Sequence, residues 1–216
     1  MRIGVLASGS GSNLQAILDA CASRAIPAQV AVVICNVADA KALQRAEAAR
    51  VPALLLPHQK VVSREEYDRQ VVTALQKHSV DVVCLAGFMR LITPVLLGAY
   101  KDRILNIHPS LLPAFPGLHA VRQALAAGVR VSGCTVHVVD EGTDTGPILI
   151  QAAVPVLEGD TEETLAARIL LQEHRCYPRA VALWAEGRVR IESGRVRVQG
   201  AAGRADRTIA SPELSD

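Results

Sequence analysis

Short runs of apolar, mostly β-branched residues alternate with amphipathic stretches along most of this chain, and this alternation restricts the fold more than any other feature. The run at residues 30–35 is apolar at every position, which is typical of a strand that is covered on both faces. Strands that alternate with helices through short links form parallel pairs with helical crossovers. The sequence therefore predicts an α/β fold with a doubly wound, mostly parallel sheet.

The predicted elements follow one another without an internal repeat or a linker, so we expect a single domain over residues 1–199. Strands are predicted at 3–7, 30–35, 53–56, 81–86, 103–108, 133–139 and 148–156, and helices at 13–23, 41–50, 63–78, 119–127 and 161–185. Ser63 with Glu66 has the spacing of a capping box, and Thr161 or Asp160 is expected to cap the last helix. Residues 188–198 alternate apolar and charged side chains around a Ser-Gly pair, which predicts a C-terminal hairpin. Residues 200–216 have no periodicity and little apolar mass, and we expect a disordered tail there.

The composition excludes several classes of function. Hydrophobic residues make up 50% of the 216 residues and charged residues 20%, which excludes an intrinsically disordered chain. The 23 Lys and Arg residues nearly balance 21 Asp and Glu, and only 3% of residues are aromatic, so we expect no nucleic-acid partner. No apolar run approaches the roughly 18 residues of a membrane-spanning helix, and we expect a cytoplasmic protein without membrane contact. The five cysteines are widely spaced, so they are expected to be buried apolar residues rather than metal ligands.

The first candidate site is the Gly-Ser-Gly-Ser-Asn loop at residues 9–13, between the first predicted strand and helix. Glycines let the backbone approach a ligand, and free N–H groups at the start of a helix attract an anion. A dinucleotide-binding fingerprint needs a third glycine and an acidic residue after the second strand, where this chain has Leu14 and Asn36. A single phosphate is therefore favoured over a pyrophosphate. The alternative is a glycine-rich turn in which Ser12 only caps the helix.

The second candidate is the pair Asn106 and His108. The strand period of two places both side chains on one face at the end of the fifth predicted strand, where open parallel sheets bind their ligands. A loop rich in proline follows and is expected to hold the pair rigidly. The alternative is a histidine whose hydrogen bonds are satisfied within the core. The other five histidines, at 58, 78, 119, 137 and 174, have no comparable context, although His119 follows the loop closely.

Three carboxylates, Asp140, Glu141 and Asp144, share the loop at residues 140–147. An exposed acidic turn is the alternative, and a calcium loop is not expected because the later oxygen ligands are missing. A carboxylate beside a histidine orients the imidazole and favours its charged form, while an Asn amide can donate to a developing oxyanion. No Cys or Ser lies in a nucleophile elbow. The residues therefore indicate acyl-type transfer or hydrolysis by direct attack, with a phosphate held nearby.

Four motifs, at residues 9–15, 85–90, 106–113 and 140–147, resemble the phosphoribosylglycinamide formyltransferases, folate-dependent enzymes of purine biosynthesis. The resemblance runs in order from residue 1 to about residue 190. It implies a Rossmann-like formyltransferase domain that uses no metal. It also implies transfer of a formyl group from 10-formyltetrahydrofolate to the glycine amine of 5'-phosphoribosylglycinamide.

The resemblance further implies a role for individual residues. The implied catalytic residues are Asn106, His108 and Asp144. The substrate phosphate is implied at Gly11, Ser12 and Asn13, and the substrate ribose at Glu173. The implied folate-binding residues are Arg64, Met89, Arg90, Leu91, Ile92, Asn106, Asp140, Glu141 and Asp144.

Two related activities share the Asn-x-His pair and the later aspartate. Methionyl-tRNA formyltransferase normally carries an extra carboxyl-terminal domain, and formyltetrahydrofolate hydrolase an amino-terminal regulatory one. We expect neither domain in a chain of 216 residues. A non-catalytic nucleotide-binding module is the third alternative, and it leaves the trio unexplained. The expected assembly is a monomer or a homodimer.

Overall fold

The computed structural model describes residues 1–200 and Ser211, and this part of the chain forms a central seven-stranded sheet and a two-stranded hairpin. The central strands are β1 (Arg2–Ala7), β2 (Gln29–Cys35), β3 (Ala53–Leu55), β4 (Val82–Leu85), β5 (Ile104–His108), β6 (Val131–Val138) and β7 (Ile148–Pro155). The helices are α1 (Ser12–Ala22), α2 (Lys41–Ala48), α3 (Arg64–Lys77), α4 (Pro94–Ala99), α5 (Ala120–Ala126) and α6 (Glu162–Ala185), with a 3₁₀ turn at His58–Lys60. The hairpin consists of β8 (Val189–Glu192) and β9 (Arg195–Val198).

The strand order of the central sheet is β3-β2-β1-β4-β5-β6-β7. The first five of these strands run parallel, whereas β6 lies antiparallel to both β5 and β7. The α/β, mostly parallel sheet and the C-terminal hairpin are therefore confirmed. The order reverses between β1 and β4, and such a switch point opens a crevice at the carboxyl ends of the strands.

The core is divided into two apolar layers, one on each face of the sheet. Successive β1 residues alternate between them: Val5 packs into the layer beneath α1, α2 and α6, and Leu6 into the layer beneath α3 and α4. Tyr177 of α6 and Tyr67 of α3 are fully buried members of these two layers. Because both faces of each inner strand are covered, the inner strands are apolar at nearly every position.

The helix caps agree with the predicted boundaries. The Ser63 hydroxyl accepts a hydrogen bond from the Glu66 backbone N–H at the start of α3. Thr161 and Thr164 form a reciprocal capping box at the start of α6, which satisfies two N–H groups that have no partner within the helix. Thr161 is thus the cap, whereas the Asp160 carboxylate binds Arg168 at 2.7 Å.

Two parts of the prediction differ from the structure. The short helix α4 was not predicted, because its signal is only Thr93 as N-cap followed by Pro94 at the first helical position in six residues without a clear period. Ser12 does not cap α1, because Gly11 is the N-cap and Ser12 already lies in the first turn. The predicted tail lies outside the described residues apart from Gly200 and Ser211, and the single domain over 1–199 stays a prediction.

Candidate active site

The candidate site lies at the carboxyl end of β5, where this strand and the loop after β6 bring polar side chains together. Asn106 and His108 project from β5, and the loop after β6 carries Asp144. The His108 Nδ1 lies 3.3 Å from Asp144 Oδ2, and the Asn106 Nδ2 lies 3.4 Å from Asp144 Oδ1. The two candidates that were predicted separately from the sequence therefore form one cluster, partly buried, around a single carboxylate.

The loop that follows β5 closes over His108 and supplies further contacts. The His108 Nε2 lies 2.8 Å from the Phe115 carbonyl oxygen, and the Gly117 N–H donates to Asp144 Oδ2 at 2.8 Å. Both ring nitrogens of His108 thus face oxygen acceptors, so only the doubly protonated ring can donate to both. The arrangement places an imidazole between a carboxylate and a carbonyl oxygen, which suits a group that gives and takes protons.

His137 is a site residue that sequence reasoning missed, and the expectation that it lacks a comparable context is wrong. It is buried on β6, directly opposite Asn106 in the antiparallel register. Its Nδ1 lies 3.1 Å from the Val138 carbonyl, and its Nε2 lies 3.2 Å from Asn106 Nδ2 and 3.5 Å from Asp144 Oδ1. The available signal was the period of two on β6, which becomes informative only once β5 and β6 are known to pair.

The pKa of Asp144 reflects opposing effects of this environment. Burial raises the pKa, but the neighbouring His137, the hydrogen bond from the Gly117 N–H and the nearby His108 lower it below the ordinary value of 3.8. A depressed pKa keeps the carboxylate ionised at neutral pH. Asp144 can therefore hold His108 in a fixed orientation and stabilise its positive charge.

The start of α1 forms a second polar region at the same edge of the sheet. Gly11 has the left-handed φ of 66°, and the first helical hydrogen bond runs from the Gln15 N–H to the Gly11 carbonyl. The N–H groups of Ser12 and Asn13 therefore have no acceptor within the helix. These N–H groups lie at the positive end of the helix dipole, which attracts an anion. The geometry is compatible with the predicted phosphate loop.

Replacing Gly11 by alanine is expected to lower the free energy of unfolding by about 1–3 kcal/mol, because alanine is strained at this φ. A Cβ at Gly11 would also lie 2.8 Å from the Cα of Ala42 on α2, so the substitution presses the loop against a helix. Gly9→Ala is the matched control, because a Cβ there meets no atom within 4 Å. Urea unfolding of both variants checks this, and equal losses of stability would contradict it.

Glu173 of α6 connects the last helix to this loop. Its Oε2 accepts a hydrogen bond from Asn13 Nδ2 at 2.7 Å, and both side chains are buried. The Asn13 Oδ1 is also buried and has no hydrogen-bond partner within the described residues. The structure thus brings the predicted phosphate-binding and ribose-binding residues together, with a buried acceptor still open.

The stability of the protein should depend on pH through Glu173. Burial raises the pKa of Glu173 above its ordinary value of 4.5, and the Asn13 hydrogen bond only partly offsets this. The folded state then holds the proton more tightly, so this stabilisation is complete below the unfolded pKa and is lost as pH rises through the folded pKa. Because glutamine does not titrate, we expect Glu173→Gln to gain stability relative to the parent as pH rises.

Urea unfolding from about pH 4 to pH 8 measures this difference, since stability follows the difference in bound protons. Glu158→Gln, which removes an exposed carboxylate near the start of α6, is the control for the loss of a charge. A stability difference between Glu173→Gln and the parent that does not change with pH would contradict the expectation.

The predicted folate-binding residues occupy one irregular segment and its surroundings. Met89 and Leu91 are 68% and 60% exposed, which is unusual for apolar side chains next to a sheet. The Arg90 guanidinium lies 4.7 Å from the ring centroid of Tyr67, and its Nε is buried without a partner in the described part of the chain. Ile92 packs against the layer of α3 and α4.

The remaining predicted folate residues lie in two other places. Arg64 is exposed at the first position of α3, and no side-chain hydrogen bond to another described residue fixes it. Asp140 accepts hydrogen bonds from the Gly142 N–H at 3.1 Å and the Thr145 hydroxyl at 2.7 Å, so it shapes the loop that carries Asp144. Glu141 is exposed in the same loop.

Two features are absent from residues 1–200 and Ser211, namely a metal centre and a membrane-spanning helix. No group of three or more His, Cys, Asp or Glu side chains in that part is arranged to hold a metal ion. No helix there is both long and apolar enough to cross a membrane.

Comparisons with known proteins identify the family of this chain. The family model described as "Formyl transferase" matches residues 1–181. The phosphoribosylglycinamide formyltransferase of Escherichia coli is 45% identical over 200 residues, which cover 93% of this chain and 94% of the relative. The crystal structure of glycinamide ribonucleotide transformylase 1 from Symbiobacterium toebii superimposes with a TM-score of 0.91 at 60% identity, covering 92% of this chain and 93% of that one.

The chain also resembles part of much longer proteins. The trifunctional purine biosynthetic protein adenosine-3 of Drosophila pseudoobscura pseudoobscura is 50% identical over 191 residues, which cover 88% of this chain but 14% of that protein. The chain thus spans only a small part of such relatives, but nearly all of the Escherichia coli protein. The chain matches the family model, is 45% identical to a relative of similar length and shares the fold of a solved member. It therefore belongs to the phosphoribosylglycinamide formyltransferases of the formyl transferase family.

Proposed function

We propose that this protein transfers the formyl group of 10-formyltetrahydrofolate to the amine of 5'-phosphoribosylglycinamide, giving 5'-phosphoribosyl-N-formylglycinamide in de novo purine biosynthesis. The observation that carries the proposal is the Asp144 carboxylate, which lies within 3.5 Å of His108, His137 and Asn106 at once. Such a cluster provides a proton carrier, a carboxylate that orients it and an amide donor. These are the groups that acyl transfer by direct attack needs.

In the proposed reaction the amine nitrogen attacks the formyl carbon, and the carbonyl oxygen becomes an oxyanion. A proton leaves the amine, the bond between the formyl carbon and N10 of the folate breaks, and N10 takes up a proton. We assign both proton transfers to His108. Its Nε2 contacts the Phe115 carbonyl in the free protein, so the loop carbonyl has to release the ring before it can serve the substrate.

We assign the stabilisation of the oxyanion to Asn106. In the free protein its Nδ2 contacts two groups, His137 Nε2 at 3.2 Å and Asp144 Oδ1 at 3.4 Å. The contact with Asp144 is long for a hydrogen bond between a nitrogen and an oxygen, so its hydrogen is the one that can turn to the oxyanion. His137, which accepts the other hydrogen when its Nδ1 donates to Val138, then fixes the direction of the amide.

The start of α1 is the proposed subsite for the substrate phosphate and ribose. The free N–H groups of Ser12 and Asn13 and the left-handed Gly11 form the anion-binding end of a helix. Glu173 lies beside Asn13 and offers a carboxylate to the ribose hydroxyls. A single phosphate with a ribose matches these groups better than a dinucleotide does.

Residues 87–92 are the main part of the proposed folate subsite. Exposed Met89 and Leu91 offer apolar contacts to a ring system, and the Nε of Arg90, which has no partner among the described residues, offers a buried donor. These residues fit a folate, which has a flat pterin ring and a glutamate tail with carboxylates, and we add Arg64, Ile92, Asp140 and Glu141 as further contacts. When bound, the folate supplies the formyl group; the protein positions it next to His108 and excludes water.

A formyl-transfer assay with purified protein tests the function. We expect consumption of 10-formyltetrahydrofolate only when 5'-phosphoribosylglycinamide is present, with one formylated product for each tetrahydrofolate released. Equal consumption without the amine would identify a hydrolase, and transfer only to methionyl-tRNA would identify the third family activity. Binding of both compounds without turnover would support a non-catalytic module.

Location and assembly are part of the same proposal. We infer a cytoplasmic location, because both proposed substrates are charged metabolites that do not cross membranes unaided. Fractionation of cells that produce the protein checks this. We propose a monomer or homodimer, and sedimentation equilibrium distinguishes the two; a larger assembly would contradict the proposal.

A further inference from the structure

Ser8 lies at the point where the strand order reverses, directly after β1 and directly before the phosphate loop. Its backbone N–H donates to the Gly87 carbonyl at 3.1 Å. Its hydroxyl oxygen accepts a hydrogen bond from the Met89 N–H at 2.9 Å. One residue of the β1 loop thus binds two backbone groups of the segment after β4, across the crevice between the two strands.

That segment, residues 87–92, has no regular secondary structure and depends on side chains for its position. At its other end the buried Asp68 carboxylate accepts hydrogen bonds from the Thr93 N–H at 2.6 Å and the Thr93 hydroxyl at 2.8 Å. Between these two anchors the apolar side chains of Met89 and Leu91 are largely exposed. The Ser8 hydroxyl therefore anchors the first part of the segment, which is the end next to the switch point between β1 and β4.

Asn36 lies behind Ser8 at the end of β2. Its Oδ1 accepts a hydrogen bond from the Ser8 hydroxyl at 2.7 Å, and its Nδ2 donates to His58 Nδ1 at 3.2 Å. The side chain is buried. In dinucleotide-binding folds this position holds an acidic residue that contacts a ribose, whereas here the amide is directed inward and its groups are used within the protein.

The directions of these hydrogen bonds follow from the chemistry of the groups. A hydroxyl has one hydrogen and two acceptor lone pairs. Because the Ser8 hydrogen points to Asn36 Oδ1, a lone pair is free for the Met89 N–H. The amide of Asn36 can only donate through Nδ2, so His58 Nδ1 fixes which end of that amide faces Ser8.

We propose that Ser8, oriented by Asn36, is a positioning residue that holds residues 87–92 in place for the folate cosubstrate. The inference rests on the proposed function of this segment. Because Ser8 directly precedes the phosphate loop in the sequence, it also sets the distance between the proposed phosphate and folate subsites. Asn36 acts through Ser8 and contacts neither substrate.

The test uses the full chain with Ser8→Ala, Ser8→Thr, Asn36→Ala and the double variant. Ser23→Ala removes an exposed hydroxyl that donates to the Ala20 carbonyl of its own helix, and it is the control. Ser8→Ala leaves the Met89 N–H unpaired, so the KM for 10-formyltetrahydrofolate should rise about tenfold. The kcat and the KM for 5'-phosphoribosylglycinamide should stay within about twofold, because the backbone of the phosphate loop is unchanged.

The other variants separate positioning from a general loss of structure. Ser8→Thr keeps the hydroxyl and should restore the parental KM. Asn36→Ala should raise the folate KM about threefold in the parent but have almost no further effect in the Ser8→Ala background, because residues that act through one contact are not additive. An unchanged folate KM in Ser8→Ala, an equal rise of both KM values, or additive effects of the two substitutions would each overturn the proposal.

Calorimetric titration of each variant with 10-formyltetrahydrofolate alone separates this inference from the proposed function. If the parent binds the folate but transfers no formyl group, the proposed function fails, and the folate affinities still test the role of Ser8. If the parent is active and Ser8→Ala binds the folate as tightly as the parent, only the positioning role fails.

Discussion

Replacement of His108 by alanine is expected to lower kcat by about 10²–10⁴-fold, because a positioned general acid–base typically contributes that much. His108 is the imidazole of the cluster whose two nitrogens contact Asp144 and the Phe115 carbonyl, and alanine removes both contacts. Dissociation constants for both substrates should change little, since the proposed binding subsites lie at α1 and at residues 87–92. Steady-state kinetics with equilibrium binding measures the two effects separately.

His78→Ala is the matched control for this substitution. His78 is the C-cap of α3, at the edge of the sheet opposite to the candidate site, so its loss should leave kcat unchanged. A kcat of His108→Ala within a few-fold of the parent would remove His108 from the mechanism. In that case His137, the other imidazole beside Asp144, would be the next candidate for the proton carrier.

Asp144→Asn is expected to lower kcat by about 10²-fold or more and to move the pH–rate profile. The substitution removes the charge that favours the protonated imidazole of His108, and it puts an amide where the Gly117 N–H needs an acceptor. The backbone should tolerate the change, because Asp144 has a φ of 56° and asparagine adopts the left-handed region readily. Measurement of kcat across the pH range checks both parts.

Asp102→Asn provides a closely matched control. Asp102 is exposed, has a φ of 58° and lies before β5, away from the site. It should leave both kcat and the pH–rate profile as in the parent. A fall in activity of Asp144→Asn without any movement of the profile would contradict the electrostatic role of the carboxylate and leave it only a structural one.

Most of the fold could be predicted from the sequence because the two periods of its apolar residues are strong. The inner strands are apolar at nearly every position, and α3 and α6 begin at side chains that visibly cap them, Ser63 and Thr161. The pair Asn106 and His108 could be predicted because both lie on one strand, where spacing alone decides which face they share. The helix α4 was missed because six residues are too few to show a period.

Other features depended on which strands become neighbours. His137 joins the site only because β6 runs antiparallel to β5 with His137 opposite Asn106. The packing of Gly11 against Ala42 and the hydrogen bonds of Ser8 with Met89 likewise link elements that are distant in the chain. No local pattern distinguishes these residues from others of the same type.

The sequence by itself determined the class of fold, the glycine-rich loop before α1 and the shared face of the Asn-x-His pair, because each depends on spacing within one element and its adjoining loop. Only the tertiary structure decided that Asp144 lies between His108 and His137, and that Ser8 and Asn36 connect the two proposed subsites. The physical reason is that these contacts join side chains from different strands and loops. Their distances are set by the strand order and register of the sheet, which many long-range packing contacts establish together.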